Sequence, residues 1–223
     1  MKPDDFYAIT GYTFRQQELL EQALTHRSYA RAANNERLEF FGDSILNLVI
    51  TRHIYQHYPD ASEGDLSRIR ASLVKQETLA LVAMDMGLGE YIYLGGGELK
   101  SGGYRRASIL SDVLEAIIAA IYLDSDFEQT EAVILALFRV HLQNLPDAAE
   151  LKDPKTRLQE DLQARKHELP VYEVVQTSGK SHNQIFTVSC NIGSPVLKTE
   201  ATGSSRKKAE QQAAKKMLEK ISS

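Results

Sequence analysis

Cysteine is almost missing from this chain of 223 residues, with Cys190 the sole example. One thiol excludes an internal disulfide framework and a cysteine-built zinc cluster, and a reducing compartment is its natural setting. No apolar run approaches the roughly 18 residues needed to cross a bilayer, and the opening "MKPDDFYAITGYTF" lacks the apolar core of a signal peptide. The expectation is therefore a cytoplasmic protein without a membrane partner. Repeats and low-complexity segments are also lacking. The glycine-rich stretch "LGGGELKSGGYRRAS" has no GK[ST] ending, so it is no P-loop and reads as a mobile connection whose Lys100, Arg105 and Arg106 can meet phosphate or a subunit interface. His53 and His57 lie four residues apart but have no glutamate base or third ligand, and read as exposed surface.

With 43% hydrophobic and 25% charged residues, the chain is an ordinary globular protein, long enough for one large core or two domains. Its net charge of −4 conceals an asymmetry. Residues 1–154 carry 14 Lys and Arg against 23 Asp and Glu, whereas residues 155–223 carry 12 against 7. A basic module attached to an acidic body suggests that the tail holds a polyanion and the body does something that requires carboxylates.

The grammar of the two parts differs as well. The segments 14–24, 35–58, 63–86, 108–124 and 127–145 all repeat apolar residues at three and four spacing, which predicts an all-helical domain. Ser62 followed by Asp65 predicts a capped helix start. Beyond "NLPDAAELKDP", a helix over 156–166 is followed by strands over 171–177, 184–192 and 195–202 and a closing helix over 204–221, an α-β-β-β-α order. In the middle strand Phe186, Val188, Cys190 and Ile192 alternate with Thr187, Ser189 and Asn191, so one side should pack on helices and bury an inert Cys190. Gly193 and Ser194 supply the tight connection into the last strand. Ala209, Ala213, Met217 and Ile221 read as core.

The chemistry is concentrated in "NNERLEFFGDSILNLVI". Glu36, Glu39 and Asp43 fall within about 60 degrees of one another on a helix that is otherwise apolar over most of its circumference. Burying an unpaired carboxylate costs several kcal/mol, and three together repel one another, so a cation must compensate. The readings are a salt-bridge set with Arg37, Arg52 or arginines elsewhere, an acidic stripe facing water, or a metal site. A second apolar helix, "SILSDVLEAIIAAIYL", carries Asp112 and Glu115 at the same kind of spacing; a helix cap would explain Asp112 and a structural ion pair Glu115, but two such helices together point to one shared site. No His or Cys accompanies these acids, so the ligands are oxygen only and favour Mg²⁺, or Mn²⁺, over zinc. The Glu-x-x-His of di-iron bundles is lacking. Glu63, in "SEGDLSRIR", is a further acidic candidate that first-turn placement on a helix explains equally well.

These residues resemble a known family. "ERLEFFGDS" is similar to the signature of ribonuclease III, usually written with Leu where Phe41 stands, and "EGDLSR" and "SILSDVLEA" match its further acidic motifs. Ser111 occupies a position where Ala is common. The segment from "DPKTRLQE" through "SHNQIF" to "GSSRKKAEQQAA" resembles a double-stranded-RNA-binding domain. The resemblance implies a catalytic domain over 1–146, a linker over 147–153 and an RNA-binding domain over 154–223. It implies that Glu39, Asp43, Asp112 and Glu115 bind the catalytic metals, and that Glu36 and Glu63 support the site or its dimer interface. It further implies a homodimer with Phe40 at its interface. The activity implied is hydrolysis of double-stranded RNA by metal-activated water, with 5′-phosphate and 3′-hydroxyl products, in processing of ribosomal precursors and other structured transcripts. For duplex binding it implies Thr156, Gln159 and Glu160 toward a minor groove, His182 toward the next, and Arg206, Lys207 and Lys208 on phosphates at a helix start. A competing class is a non-catalytic duplex-RNA-binding regulator or scaffold; a third, a helical metal phosphohydrolase of small molecules, would leave the basic tail without a purpose.

Overall fold

A computed structural model describes residues 10–145, 152–179, 184–193 and 196–222. Its backbone divides into two compact units, Met1–Pro146 and Asp147–Ser223.

The described part of the first unit is helical: α1 (Gln17–Leu24), α2 (Glu36–His57), α3 (Glu63–Val74), α4 (Gln76–Asp85), α5 (Gly96–Lys100), α6 (Ala107–Asp124), α7 (Phe127–Leu137) and α8 (Arg139–Gln143). The most apolar of these segments, α6, forms the centre, with α1, α2, α4 and α7 packed against it. Between Ile109 and Ile121, Asp112 and Glu115 alone escape full burial. Each buried Leu, Ile or Val contributes roughly 1.5–3 kcal/mol, so α6 organises the unit while its two acids remain on the one face left open. Among the described residues no helix is long and apolar enough to cross a membrane.

Two of the predicted helices are each broken in two. The run over 63–86 turns at Lys75, whose backbone is extended (φ −69°, ψ 150°). The Ser72 hydroxyl donates to the Ile69 carbonyl (2.7 Å) and the Thr78 hydroxyl donates to the Ser72 carbonyl (2.7 Å), so side chains occupy acceptors that a continuing helix would need. The run over 127–145 breaks at Phe138, which is fully buried. Elsewhere the local signals hold: Ser62 accepts from the Asp65 N–H (3.2 Å) and its hydroxyl donates to the Asp65 carboxylate (2.6 Å). The glycine-rich connection is not featureless, since it forms α5 and a 3-10 turn over Gly103–Arg105.

The second unit comprises α9 (Pro154–Ala164), β1 (Val171–Ser178), β2 (Ile185–Gly193), β3 (Val196–Gly203) and α10 (Arg206–Ser222). Asp153 caps α9 by accepting from the Thr156 N–H (3.1 Å), and Pro154 fills the first helical position, where no N–H is needed. The sheet is antiparallel in the order β1-β2-β3, with Tyr172 opposite Cys190 and Cys190 opposite Thr199. A register shift between Val174 and Gln176 leaves Val175 as an extra residue in β1. Leu158 and Leu162 of α9 meet Cys190, Ile192 and Ala201 of the sheet and Ala213, Ala214 and Met217 of α10 in one core. Alternation in β2 is obeyed by Val188, Cys190 and Ile192, yet Ser189 on the opposite side is buried too. Glu173 and Glu200 flank it on the neighbouring strands, and it accepts a hydrogen bond from the Asn191 amide (3.3 Å). Ser194 lies outside the described residues.

Candidate functional site

The site begins with a residue that carries no chemistry. Gly42 is buried on α2 between Glu39 and Asp43, and a Cβ built there would run into the backbone carbonyl of Glu115 on α6. The two helices therefore approach as closely as only glycine permits. The approach brings Glu39, Asp112 and Glu115 together, with carboxylate oxygens within 4.8 Å of one another and all three side chains half-buried. Asp43 is more exposed and stands outside this group, its Oδ1 accepting from the Asn47 amide (2.8 Å).

Charge in this cleft is costly. Burial pushes the Glu115 carboxyl up to about 8, reinforced by Asp43, Glu39 and Asp112 in that order. Burial likewise raises Glu39, helped by Asp112 and Glu36, and it raises Asp112 against a hydrogen bond from Ser111. Among the described residues, no ion pair involves Glu39, Asp43, Asp112 or Glu115. Arg52, one arginine available to neutralise them, instead pairs with Glu131 (2.8 Å) and lies over the Phe127 ring. A compact oxygen-only cluster without a directly paired cationic side chain fits a hard divalent ion.

The supporting acids fall elsewhere. Glu36 accepts from Arg27 (3.2 Å) and Asn34 (3.3 Å) on the rim of a cavity of about 450 Å³ that Glu39 and Asp112 also line. Glu63 opens α3, accepts from the Ser67 hydroxyl (2.8 Å), and borders a separate depression with Tyr55 and Arg70. Within one chain it does not join the cluster. Phe40 points outward, 79% exposed, and Leu48 and Tyr55 on the same helix are exposed as well. Sequence reasoning missed Gly42, although a glycine inside an apolar helical run is a signal of close approach. It also missed His26 and Ser28, loop residues after α1 that line the cavity and carry no periodic signal.

On the second unit, Arg206, Lys207 and Lys208 open α10 as expected. Arg206 donates to Glu210 Oε1 (2.8 Å) and Lys155 donates to Oε2 (2.6 Å). Burial alone would raise Glu210, but these two cations outweigh it and hold the carboxyl below its ordinary range. Lys207 and Lys208 stay exposed and border an open depression with Gln211 and Lys216. Thr156 donates its hydroxyl to Asp153 (2.8 Å), Gln159 is exposed, and Glu160 accepts from Lys152 (2.6 Å). His182 lies outside the described residues.

Comparison with known proteins agrees with both halves of this geometry. A Ribonuclease-III-like family model matches residues 16–141, and a double-stranded RNA binding motif matches residues 154–221. The chain is 55% identical over 213 residues to Ribonuclease 3 of Idiomarina loihiensis, covering 96% of this chain and 93% of that one. It is 54% identical over 211 residues to Ribonuclease 3 of Alkalilimnicola ehrlichii, covering 95% and 92%. Among solved structures, the nuclease domain of ribonuclease III from Campylobacter jejuni is similar at 39% identity with a TM-score of 0.62, covering 66% of this chain and 100% of that one. A second structure of that domain, described for flexibility in a region involved in dimer formation, gives 39% identity, a TM-score of 0.61, and coverage of 63% and 98%. With its acids gathered between two helices and a basic α-β-β-β-α unit following in the sequence, the chain belongs to the ribonuclease III family.

Proposed function

We propose that the protein is a homodimeric endoribonuclease that hydrolyses phosphodiester bonds in double-stranded RNA. Residues 1–146 perform the cleavage, 147–153 link, and 154–223 hold the duplex. The observation that carries this reading is the gathering of Glu39, Asp112 and Glu115 within 4.8 Å, in a chain that also matches a duplex-RNA-binding motif.

Glu39, Asp112 and Glu115, with Asp43 beside them, are the residues that would hold Mg²⁺, with Mn²⁺ as substitute. When bound, such an ion supplies Lewis acidity, acidifying water and offsetting charge on a reacting phosphate. The chain's own contribution is positional. Four carboxylates repel a phosphodiester unless neutralised, so the site discriminates against reaction without a cation. Their partial burial raises the cost of leaving them charged without a cation. A-form RNA hides its bases in a narrow major groove, so the second unit recognises phosphates and 2′-hydroxyls. Lys207 and Lys208 meet phosphates where the α10 start also favours anions. Arg206, held by Glu210, flanks them, and Thr156, Gln159, Glu160 and His182 face the minor grooves. Phe40 belongs to the dimer contact in this reading, and Glu36 and Glu63 support the site or that contact.

Full-length likeness to bacterial Ribonuclease 3 chains supports the finer parts of the proposal: cytoplasmic action, ribosomal precursors and other structured transcripts as substrates, and products with 5′-phosphate and 3′-hydroxyl ends. The test uses labelled duplex RNA with Mg²⁺, with Ca²⁺ in its place, and with Glu115→Gln. Binding in all three with cleavage in the first alone is the expected outcome, with at least about a hundredfold loss of rate in the variant. Binding without cleavage under any condition would identify a scaffold instead.

A further inference from the structure

The cavity beside the acidic cluster contains a histidine whose tautomer is settled by its neighbours. The Ser28 backbone N–H donates to His26 Nδ1 (3.2 Å), and a backbone N–H can only donate. Nδ1 is therefore an acceptor, the Ser28 hydroxyl adds a second donor to it (2.8 Å), and the ring proton resides on Nε2. The serine is itself held, because its Oγ accepts from the Gly95 N–H (2.9 Å), and a Cβ on Gly95 would collide with the Ser28 carbonyl. The histidine backbone is tied down at the same place, its N–H donating to the Tyr93 carbonyl (3.1 Å). Such a relay fixes ring orientation as well as proton position.

Nε2–H has no hydrogen-bond partner among the described residues, and His26 lines the same cavity as Glu39 and Asp112. The other charged groups there are spoken for: Arg27 pairs with Glu36 (3.2 Å) and Arg106 with Glu98 (2.9 Å). This leaves a rigid, uncommitted donor, alongside the buried and likewise unpartnered amide nitrogen of Asn35, on the wall of the cavity that Glu39 and Asp112 line. A neutral N–H suits a phosphate oxygen, since it neither competes for metal-binding carboxylates as a cation would nor repels the anion.

We propose that His26 is a substrate-contacting residue of the nuclease site, its Nε2–H donating a hydrogen bond to a phosphate oxygen of the RNA strand in the cavity. The proposal rests on the endonuclease reading, and its test separates the two. In Mg²⁺, wild-type protein cleaves labelled duplex, and His26→Ala lowers kcat about tenfold to a hundredfold, with duplex affinity in Ca²⁺ unchanged. His26→Gln, whose side-chain amide reaches the Nε2 position, recovers most of that loss. A kcat for His26→Ala within twofold of wild type would overturn the proposal, as would equal losses in the alanine and glutamine variants. A second measurement needs no variant: ¹⁵N spectra of the folded wild-type chain should show His26 as the Nε2–H tautomer and a shift of that resonance when duplex RNA is added in Ca²⁺. An Nδ1–H tautomer, or a resonance unmoved by RNA, overturns the proposal. Failure of the wild type to cleave at all sinks the endonuclease reading instead, and the spectra still decide whether His26 meets phosphate.

Discussion

Gly42 allows Glu39 to meet Asp112 and Glu115, and the meeting is unfavourable as long as all three are ionised without a cation. One methyl group is enough to disturb it. Gly42→Ala should force α2 away from the Glu115 carbonyl, at a cost of roughly 1–3 kcal/mol of overpacking that exceeds the gain from replacing a mid-helix glycine. Denaturant unfolding is expected to show the loss, and cleavage should fall more than tenfold because the oxygens separate. At this scale the sequence was only partly legible. Glu36, Glu39 and Asp43 share a helical face, but Glu36 is drawn to Arg27 and Asp43 lies outside the oxygen cluster. Helical spacing describes angles about one axis, and those two outcomes depend on neighbours from other elements.

Among the helices, α6 performs two tasks at its two ends. Near its start it presents Asp112 and Glu115, and at its last residue the buried Asp124 accepts from the Tyr12 hydroxyl (2.6 Å) and from the backbone N–H groups of Arg15 (2.7 Å) and Gln16 (2.9 Å). The end of one helix thus holds the two backbone N–H groups that lead into α1. Burial would raise this carboxyl, but the hydrogen bonds prevail and hold it below its ordinary value of 3.8. A depressed folded pKa contributes stability that is present above the unfolded value and disappears as pH falls through the folded one. Asp124→Asn should accordingly cost about 1–3 kcal/mol near neutrality, and the gap between wild type and variant in denaturant midpoints should close as pH is lowered below 3.8. On α10 the exposed Lys207 and Lys208 are the residues to neutralise. Replacing both with alanine should weaken duplex binding whatever the RNA sequence and flatten the plot of log K against log salt by about one unit per lysine. Capping signals and alternation were readable in these elements, as Ser62 and the β2 pattern demonstrate. The break at Lys75 was not, because the hydroxyls of Ser72 and Thr78 redirect the chain while the apolar period continues.

For the molecule as a whole, the exposed side of α2 is the feature that a single chain does not use. Phe40, Leu48 and Tyr55 lie within about 80 degrees of one another on the helix, and they are 79%, 56% and 71% exposed. In the proposed homodimer this stripe is covered by a second copy, which also accounts for a helix apolar around most of its girth. Phe40→Asp should convert the dimer to monomer in sedimentation or light scattering and abolish cleavage, while binding of duplex by the second unit persists. Retention of a dimer by that variant would remove Phe40 from the interface. The charge asymmetry has its counterpart here, with the oxygen cluster in Met1–Pro146 and the exposed lysines of α10 in Asp147–Ser223.

From the order of residues alone came the helical character of one part, the α-β-β-β-α order of the other, and the presence of acids in segments too apolar to keep them idly. Those properties are local: period, capping and charge act over a few residues and need no distant partner. Tertiary packing decided which acids meet, that Glu63 stands apart from them within one chain, and that the Gly95 N–H holds the Ser28 hydroxyl beside His26. Each of these is a distance between atoms far apart along the chain, set by how closely α2 can approach α6 and by which loops are pinned together, and no pattern within a single segment contains it.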